Sequence, residues 1–302
     1  MSERLVMRVQ GMRWTVRVAG RGRPVLFLHG FTGSGLSWTG IAGLGGHCRA
    51  IVPDLPGHGG TGWEADPGPA LAGTGRSAAE AGPAPTGPSE VLPDRRPRAS
   101  VERTADDLAA IVGRLGAGRV DVVGYSMGAR IALRLAISHP HAVRRLVLEA
   151  PSAGIADPEE RARRHAADVE QARLAVSEGI PAFAARWEAE PVLAGEAGLD
   201  TEARRRQAAI RRSNAPLGLA ASLVYGGQGA MEPLQERLAG VAAPTLVVIG
   251  VDDPARARGE EVAAAIPGAR LILVEGAGHA PHIERPERFR TLVLDFLMET
   301  AA

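Results

Sequence analysis

The sequence predicts an α/β fold, a mostly parallel, doubly wound sheet carrying a helical lid. Three observations lead there. Apolar runs of strand length alternate with helical stretches, the runs are continuously rather than alternately apolar, and one long helical block interrupts the alternation. Continuous apolar runs belong to strands buried on both faces, as in a parallel sheet covered by helices. A helical block inserted between two such strands is expected over their C-terminal edge, where open α/β sheets place ligands.

The elements follow in chain order. RLVMRV and RWTVRV make an antiparallel start, and VLFLH, RAIVP, VDVVG, RLVLEA, TLVVIG and RLILVEG continue the sheet. Helices are expected near residues 101–115, 128–138, 256–265 and 286–298. The core is therefore assigned to residues 1–60, 100–154 and 229–302. Residues 61–99 are rich in Gly, Pro, Ala and Ser and poor in large apolar side chains, so a mobile insert is expected there. Residues 155–228 carry arginines, acids and Trp187 in helical sequence and are assigned to the lid. No internal repeat is visible.

Composition excludes several functions. The chain has 302 residues, 45% hydrophobic, and its 35 Lys+Arg nearly cancel 34 Asp+Glu to leave a charge of +1. Nothing there argues for nucleic acid. A small anionic partner stays open, because such ligands are read by a few placed cations rather than by net charge. The N-terminus MSERLVMRVQGMRW lacks the apolar core of a secretory signal, and no run approaches the ~18 apolar residues of a membrane span. A cytoplasmic protein without membrane insertion is expected. Cys48 stands alone, which excludes an internal disulfide and a thiolate metal cluster. No G-x-G-x-x-G opens a helix after an early strand, so hydride-transfer and nucleotide functions find no support. Oligomeric state is not legible.

The chemistry centres on GYSMG, residues 124–128, a G-x-S-x-G after a buried strand and before a helix. A strand that turns this sharply into a helix leaves no room for side chains at the flanking glycines, and it exposes Ser126 at the positive end of the helix. A serine hydroxyl becomes reactive when an imidazole takes its proton and an acid fixes the tautomer of that imidazole. In the Ser, Asp, His chain order the acid follows a later strand and the histidine follows the last one. TLVVIGVDD supplies Asp253, with Asp252 the competing acid, and RLILVEGAGHAPHIERP supplies His279, with His282 the competing base. The spacing from Gly250 favours Asp253, and the later position of His282 suits a supporting role. LHGFTGSG, residues 28–35, places the backbone N–H of Phe31 to join that of Met127 around a developing oxyanion. His29, Asp54 and His58 are read as bracing their turns. Arg130 lies four residues after Ser126, one turn deeper on the same helix face. Position alone divides evenly between contact with a substrate carboxylate and pairing with an acid such as Glu149.

HGF, DLPGHG, GYSMG, GVDD and GHAPHIERP together resemble an α/β-hydrolase over essentially the whole chain except 61–99. GYSMGAR, IADPEERARRHAADVE at 155–170, FAARWEAEPVL at 183–193 and IRRSNAPLGLAASL at 210–223 are more narrowly similar to the 2-succinyl-6-hydroxy-2,4-cyclohexadiene-1-carboxylate synthase family of menaquinone biosynthesis. That resemblance implies that Tyr125, Arg130, Arg164, Trp187 and Arg212 line the substrate site. Arg163 and Arg211 are direct rivals of Arg164 and Arg212, since acids match arginines roughly one for one across the lid and periodicity cannot choose between neighbours. Trp187 also reads as an aromatic that packs the lid. Two positions depart from the family pattern, Ala129 after the serine turn and Leu193 after W-E-x-x-P.

The reaction that the resemblance implies is lyase chemistry on an α/β-hydrolase scaffold, without metal or organic cofactor. Pyruvate is eliminated from 2-succinyl-5-enolpyruvyl-6-hydroxy-3-cyclohexene-1-carboxylate, whose three carboxylates would occupy the arginines. Two alternatives stay open: a serine hydrolase of a small anionic ester, thioester or lactone, and a non-catalytic ligand-binding protein on the same fold.

Overall fold

A computed structural model describes residues 3–41, 46–63, 92 and 99–299. Of the expected insert, only Thr61–Trp63, Leu92 and Ala99 are described, and the expectation of mobility lies outside the described residues. The boundary at 61 needs correction. Thr61 Oγ1 accepts the Thr15 N–H at 2.9 Å, and Gly62–Trp63 pair with the second strand, so the sheet reaches three residues further than expected.

The strands are β1 (Glu3–Val9), β2 (Met12–Gly20), β3 (Arg23–Leu28), β4 (Cys48–Pro53), β5 (Gly62–Trp63), β6 (Val120–Tyr125), β7 (Val143–Glu149), β8 (Thr245–Gly250) and β9 (Arg270–Val274). They form one sheet in the order β1-β2-β4-β3-β6-β7-β8-β9, with β5 beside β2. Pairing is antiparallel from β1 through β2 to β4 and parallel from β4 to β9, so an antiparallel start feeds a parallel sheet as the sequence predicts.

Both faces of the parallel part are covered. Val25, Phe27, Val123, Val147, Leu246 and Val248 turn to one face and pack with Phe289, Val293 and Phe296 of α9 (Pro286–Met298). Leu26, Leu28, Val122, Leu146, Leu148 and Val247 turn to the other, where α1 (Val101–Arg114) and α2 (Met127–Ser138) bring Leu108, Ile111, Ile131 and Leu135. Every residue of β6 is buried, which explains the unbroken apolar run that marks it. Each such side chain contributes roughly 1.5–3 kcal/mol by leaving water.

Between β7 and β8 the chain leaves the sheet and forms α3 (Pro158–Ser177), α4 (Gly179–Trp187), α5 (Thr201–Arg212) and α6 (Pro216–Gly226). Two of these helices start on aspartate caps. Asp157 accepts the Glu160 N–H at 2.7 Å and Asp200 accepts the Ala203 N–H at 2.7 Å, each relieving one of the unpaired amides of a first turn. Gly179 takes φ +78°, a left-handed conformation that lets α3 turn directly into α4. The segment has its own core, in which Val169, Ala172, Phe183, Leu219, Leu223 and Val224 pack together with Leu92. Two further helices complete the sheet's periphery, α7 (Arg256–Ala265) after β8 and the short α8 (Pro281–Glu284) before α9.

Candidate active site

Ser126 sits between β6 and α2 with φ 51° and ψ −106°, a conformation that an L-residue adopts only under constraint. The constraint comes from close backbone approach. A Cβ on Gly124 would lie 2.5 Å from the Gly128 carbonyl oxygen, and one on Gly128 would lie 2.1 Å from that of Leu28. Only glycine at both positions lets strand, turn and helix close this tightly. The Ser126 N–H donates to the Glu149 carbonyl at 2.9 Å, tying the turn to the end of β7.

His279 follows β9 and reaches back to the serine. Its Nε2 lies 3.0 Å from Ser126 Oγ and its Nδ1 lies 2.9 Å from Asp253 Oδ2. Asp253 is buried and acts only as an acceptor, so it takes the proton on Nδ1 and leaves Nε2 to accept from the serine hydroxyl. The second oxygen of Asp253 accepts the Ala255 N–H at 2.8 Å, which fixes the carboxylate. Asp252 is exposed, and its N–H donates to the Ala277 carbonyl. His282 is buried away from the serine, its Nδ1 2.9 Å from Glu149 Oε1 and its ring 4.6 Å from that of Tyr125. Glu149, considered above as a partner for Arg130, is thus committed to His282.

The histidines of the two glycine-rich turns brace them. His29 Nε2 accepts the Leu55 N–H at 2.9 Å and its Nδ1 faces the Gly30 carbonyl at 2.8 Å. His58 Nε2 accepts the Thr32 N–H at 3.2 Å. Burial pushes both imidazoles down, His29 to about 4 and His58 to about 3, so both are neutral and can accept from amides. Asp54 takes the Gly35 and Gly60 N–H groups, each at 2.8 Å, and Arg17 at 2.6 Å. This bracing sets the loop that carries Phe31.

Ser126 and His279 open onto a cavity of about 340 Å³ whose lining includes Phe31, Tyr125, Met127, Arg130, Arg164 and Trp187. Met127 is the first residue of α2, where amides lack intrahelical partners and suit an oxyanion. Phe31 meets Trp187 edge-to-face at 4.9 Å, and Trp187 stacks on Phe183 at 6.2 Å. Trp187 therefore packs the helical segment and lines the cavity at once. Tyr125 is buried, and its hydroxyl is pushed well above its ordinary pKa by burial and by nearby Glu149.

Arg130 is buried, and its Nη1 donates to the Gly226 carbonyl at 2.8 Å. Among the described residues it forms no ion pair; burial, and next the nearby Arg164, bring its pKa down to about 10. It remains charged at neutral pH. Arg164 pairs with Asp168 at 2.9 Å and lines the cavity, whereas Arg163 is 69% exposed beside Glu159. Of these neighbours it is Arg164 that the structure places on the cavity wall.

Arg212 is a correction. On α5 it is Arg211 that turns inward, with 8% of its side chain exposed, between Glu188 and Glu196. Arg212, about 100° further round the helix, is exposed. Neither arginine lines the cavity beside Ser126. The helical phase that decides this is invisible in the pair R-R-S-N.

Sequence reasoning missed seven polar side chains of the cavity wall, among them Asp168, Glu190, Gln228 and Arg258. Only Asp168 carried a signal, its four-residue spacing from Arg164 on one helix. Asn214 was missed as well: Oδ1 accepts the Gly59 N–H at 3.0 Å and Nδ2 donates to the Thr32 carbonyl at 2.8 Å, fastening the helical segment to both braced turns. Among the described residues no cluster of His, Cys, Asp and Glu is arranged to hold a metal ion, and no helix is long and apolar enough to cross a membrane.

A strained serine between two glycines, linked through histidine to aspartate at the C-terminal edge of a parallel sheet, defines an α/β-hydrolase scaffold. Residues 23–286 match the alpha/beta hydrolase fold family, and the chain belongs to it. Within that family the chain is MenH-like. It is 32% identical over 290 residues to a Bacillus subtilis (strain 168) protein provisionally named 2-succinyl-6-hydroxy-2,4-cyclohexadiene-1-carboxylate synthase, covering 95% of each chain. It is 27% identical over 284 residues to the 2-succinyl-6-hydroxy-2,4-cyclohexadiene-1-carboxylate synthase of Serratia proteamaculans (strain 568), covering 91% of this chain and 94% of that one. The structure of MenH from S. aureus superposes with a TM-score of 0.77 at 24% identity, covering 96% of this chain and 98% of that chain, and shares the fold. The protein is an enzyme built on this scaffold.

Proposed function

We propose that the protein is a carbon–oxygen lyase that eliminates pyruvate from 2-succinyl-5-enolpyruvyl-6-hydroxy-3-cyclohexene-1-carboxylate, giving 2-succinyl-6-hydroxy-2,4-cyclohexadiene-1-carboxylate. The observation that carries this reading is Arg130, a buried guanidinium in the cavity wall that donates to a carbonyl and, among the described residues, pairs with no carboxylate. A buried cation in that state is costly unless a ligand supplies the counter-charge. An ordinary ester gives no reason for it, whereas an anionic substrate does. The names of the relatives supply the product, 2-succinyl-6-hydroxy-2,4-cyclohexadiene-1-carboxylate, and the elimination reading takes as substrate its enolpyruvyl precursor, a small molecule with three carboxylates.

The mechanism follows from the hydrogen-bond chain. Ser126 passes its proton to His279, whose imidazolium Asp253 stabilises, and the serine oxygen takes the ring C–H proton beside the succinyl carbonyl. The electron pair of that C–H bond forms a ring double bond. The existing double bond shifts by one position, and the C–O bond to the enolpyruvyl group breaks. The leaving group departs as enolpyruvate and ketonises to pyruvate. The amides of Phe31 and Met127 hold the enolate-like oxygen that develops on the succinyl carbonyl. Tyr125 and Trp187 shape the wall, and the helices 158–226 act as the lid that excludes water. No acyl-enzyme is formed, and no metal or organic cofactor takes part.

The test is pyruvate release, coupled to lactate dehydrogenase, by wild type and Ser126→Ala, beside a panel of nitrophenyl esters. Rapid release lost in the variant, with negligible ester cleavage, is the expected outcome. Efficient ester turnover without pyruvate would make the protein a hydrolase of some other acid; tight binding with no turnover of either would make it a binding protein.

A further inference from the structure

Three arginines from three different helices converge on the turn Gly226–Gln228. Arg130 of α2 donates to the Gly226 carbonyl at 2.8 Å. Arg164 of α3 pairs with Asp168, and Asp168 packs so closely on this turn that a Cβ on Gly227 would lie 2.4 Å from its Oδ2. Arg258 of α7 donates from Nη1 to Gln228 Oε1 at 3.0 Å. All three side chains line the cavity that Ser126 and His279 open onto.

Three cations face two carboxylates in the described wall of this cavity, the buried Asp168 and the half-buried Glu190. Arg164 pairs with Oδ1 of Asp168, and the field of Asp168 also reaches Arg130. Gln228 is neutral, and the remaining acid near Arg258 is Glu160 at 3.7 Å, with both side chains about half exposed. An exposed pair at that distance is weak. A guanidinium held by a neutral amide keeps most of its donors in fork geometry for a bidentate carboxylate.

We propose that Arg258 is the third carboxylate-binding cation of the site, in the place that the sequence resemblance gave to Arg212. The identity of the ligand rests on the elimination reading above, and the residue rests on geometry. The proposal deepens that reading by explaining how a cavity without Arg212 still meets three carboxylates. Arg258 also differs from a lid arginine in where it is anchored. It projects from a helix packed on β8, five residues beyond Asp253, so its backbone is placed by the sheet that carries the aspartate rather than by the helices 158–226. It therefore selects tricarboxylates against substrates with fewer charges.

The experiment measures pyruvate release by wild type, Arg258→Ala, Arg258→Lys and Glu160→Gln, each checked for unchanged thermal unfolding. Arg258→Ala is expected to raise KM at least 10-fold, the lower end for losing a charge-assisted hydrogen bond, with kcat within about twofold. Arg258→Lys recovers part of that loss, and Glu160→Gln matches wild type because it removes only the contact to α3. Unchanged KM in Arg258→Ala overturns the proposal. So does an equal loss in Arg258→Ala and Glu160→Gln, which would make Arg258 a clasp between α7 and α3. If wild type releases no pyruvate, the elimination reading fails by itself, and calorimetric titration with citrate, a small tricarboxylate, decides the residue: weaker binding by Arg258→Ala than by wild type upholds a tricarboxylate site, and equal binding or none to either overturns it.

Discussion

Ser126 and Arg164 face the same cavity, yet they are held there by different physics. Around Ser126 the sheet edge is built from backbone approaching backbone, with Gly124 and Gly128 leaving no space for a methyl group and neutral, buried histidines accepting amides from the turns. The helices over that edge are held to one another partly through charge: Arg211 to Glu188 and Glu196, Arg164 to Asp168, Arg186 to Glu178 at 3.1 Å. Ion pairs with partial exposure are worth about 0–1 kcal/mol each and weaken with salt, whereas steric closure of a packed turn does not. The rigid half thus suits chemistry that depends on tenths of an ångström, and the charged half suits recognition and exchange of an anionic ligand.

The sharpest break of this comparison is Ser126→Ala, expected to lower pyruvate release by about 10³-fold or more while leaving the melting temperature within a degree or two, because a methylene-sized change at the turn's surface removes chemistry and not packing. Gly128→Ala attacks the rigid half itself. A Cβ 2.1 Å from the Leu28 oxygen cannot be accommodated without moving β3 or α2, and a loss of about 3 kcal/mol or more of stability is expected in denaturant titration.

The braced turns also predict an acid limit. A histidine whose pKa falls on folding binds protons better when unfolded, so its contribution is complete above about pH 6.5 and erodes as pH falls toward the folded values, about 4 for His29 and about 3 for His58. Each histidine steepens the profile in that window by up to about 1.4 kcal/mol per pH unit. Melting temperatures from pH 7 to 4 should fall accordingly, and less steeply in His58→Gln; a flat wild-type profile would contradict the burial argument.

The attachment of the two halves is tested by Asn214→Ala, which frees the Gly59 amide and the Thr32 carbonyl. A loss of about 1–2 kcal/mol is expected, read as faster hydrogen exchange in the helices 158–226 with little change in β6. Arg212→Ala should do least, altering KM by less than about twofold on the cost of surface changes, and a larger effect would return Arg212 to the site.

The same contrast explains what the sequence made legible. The rigid half was readable because its chemistry needs particular residues at particular offsets: glycine where a Cβ collides, serine at the apex, an acid and a histidine after successive strands. Those constraints are local and survive in one dimension. In the charged half Arg163, Arg164, Arg211 and Arg212 are chemically equivalent, and what separates them is helical phase set by packing with Val169, Phe183 and Leu219. Of the first pair Arg164 lies on the cavity wall, and of the second neither does. Arg258 and Asn214 were invisible for a related reason, since each acts on residues that lie near only after folding, Gln228 for one and Gly59 and Thr32 for the other. Residues 64–91 gave only composition, and they lie outside the described part of the chain.

The central claim is that Ser126 removes a proton and does not attack a carbonyl. Its most direct test is pyruvate release from substrate deuterated at the ring carbon beside the succinyl carbonyl, measured under single-turnover conditions. Proton abstraction by Ser126 predicts release several-fold slower than from the protonated substrate, with the intact mass of the enzyme unchanged throughout. Equal rates with the two substrates, together with a transient mass gain lost in Ser126→Ala, would show nucleophilic catalysis and contradict the account.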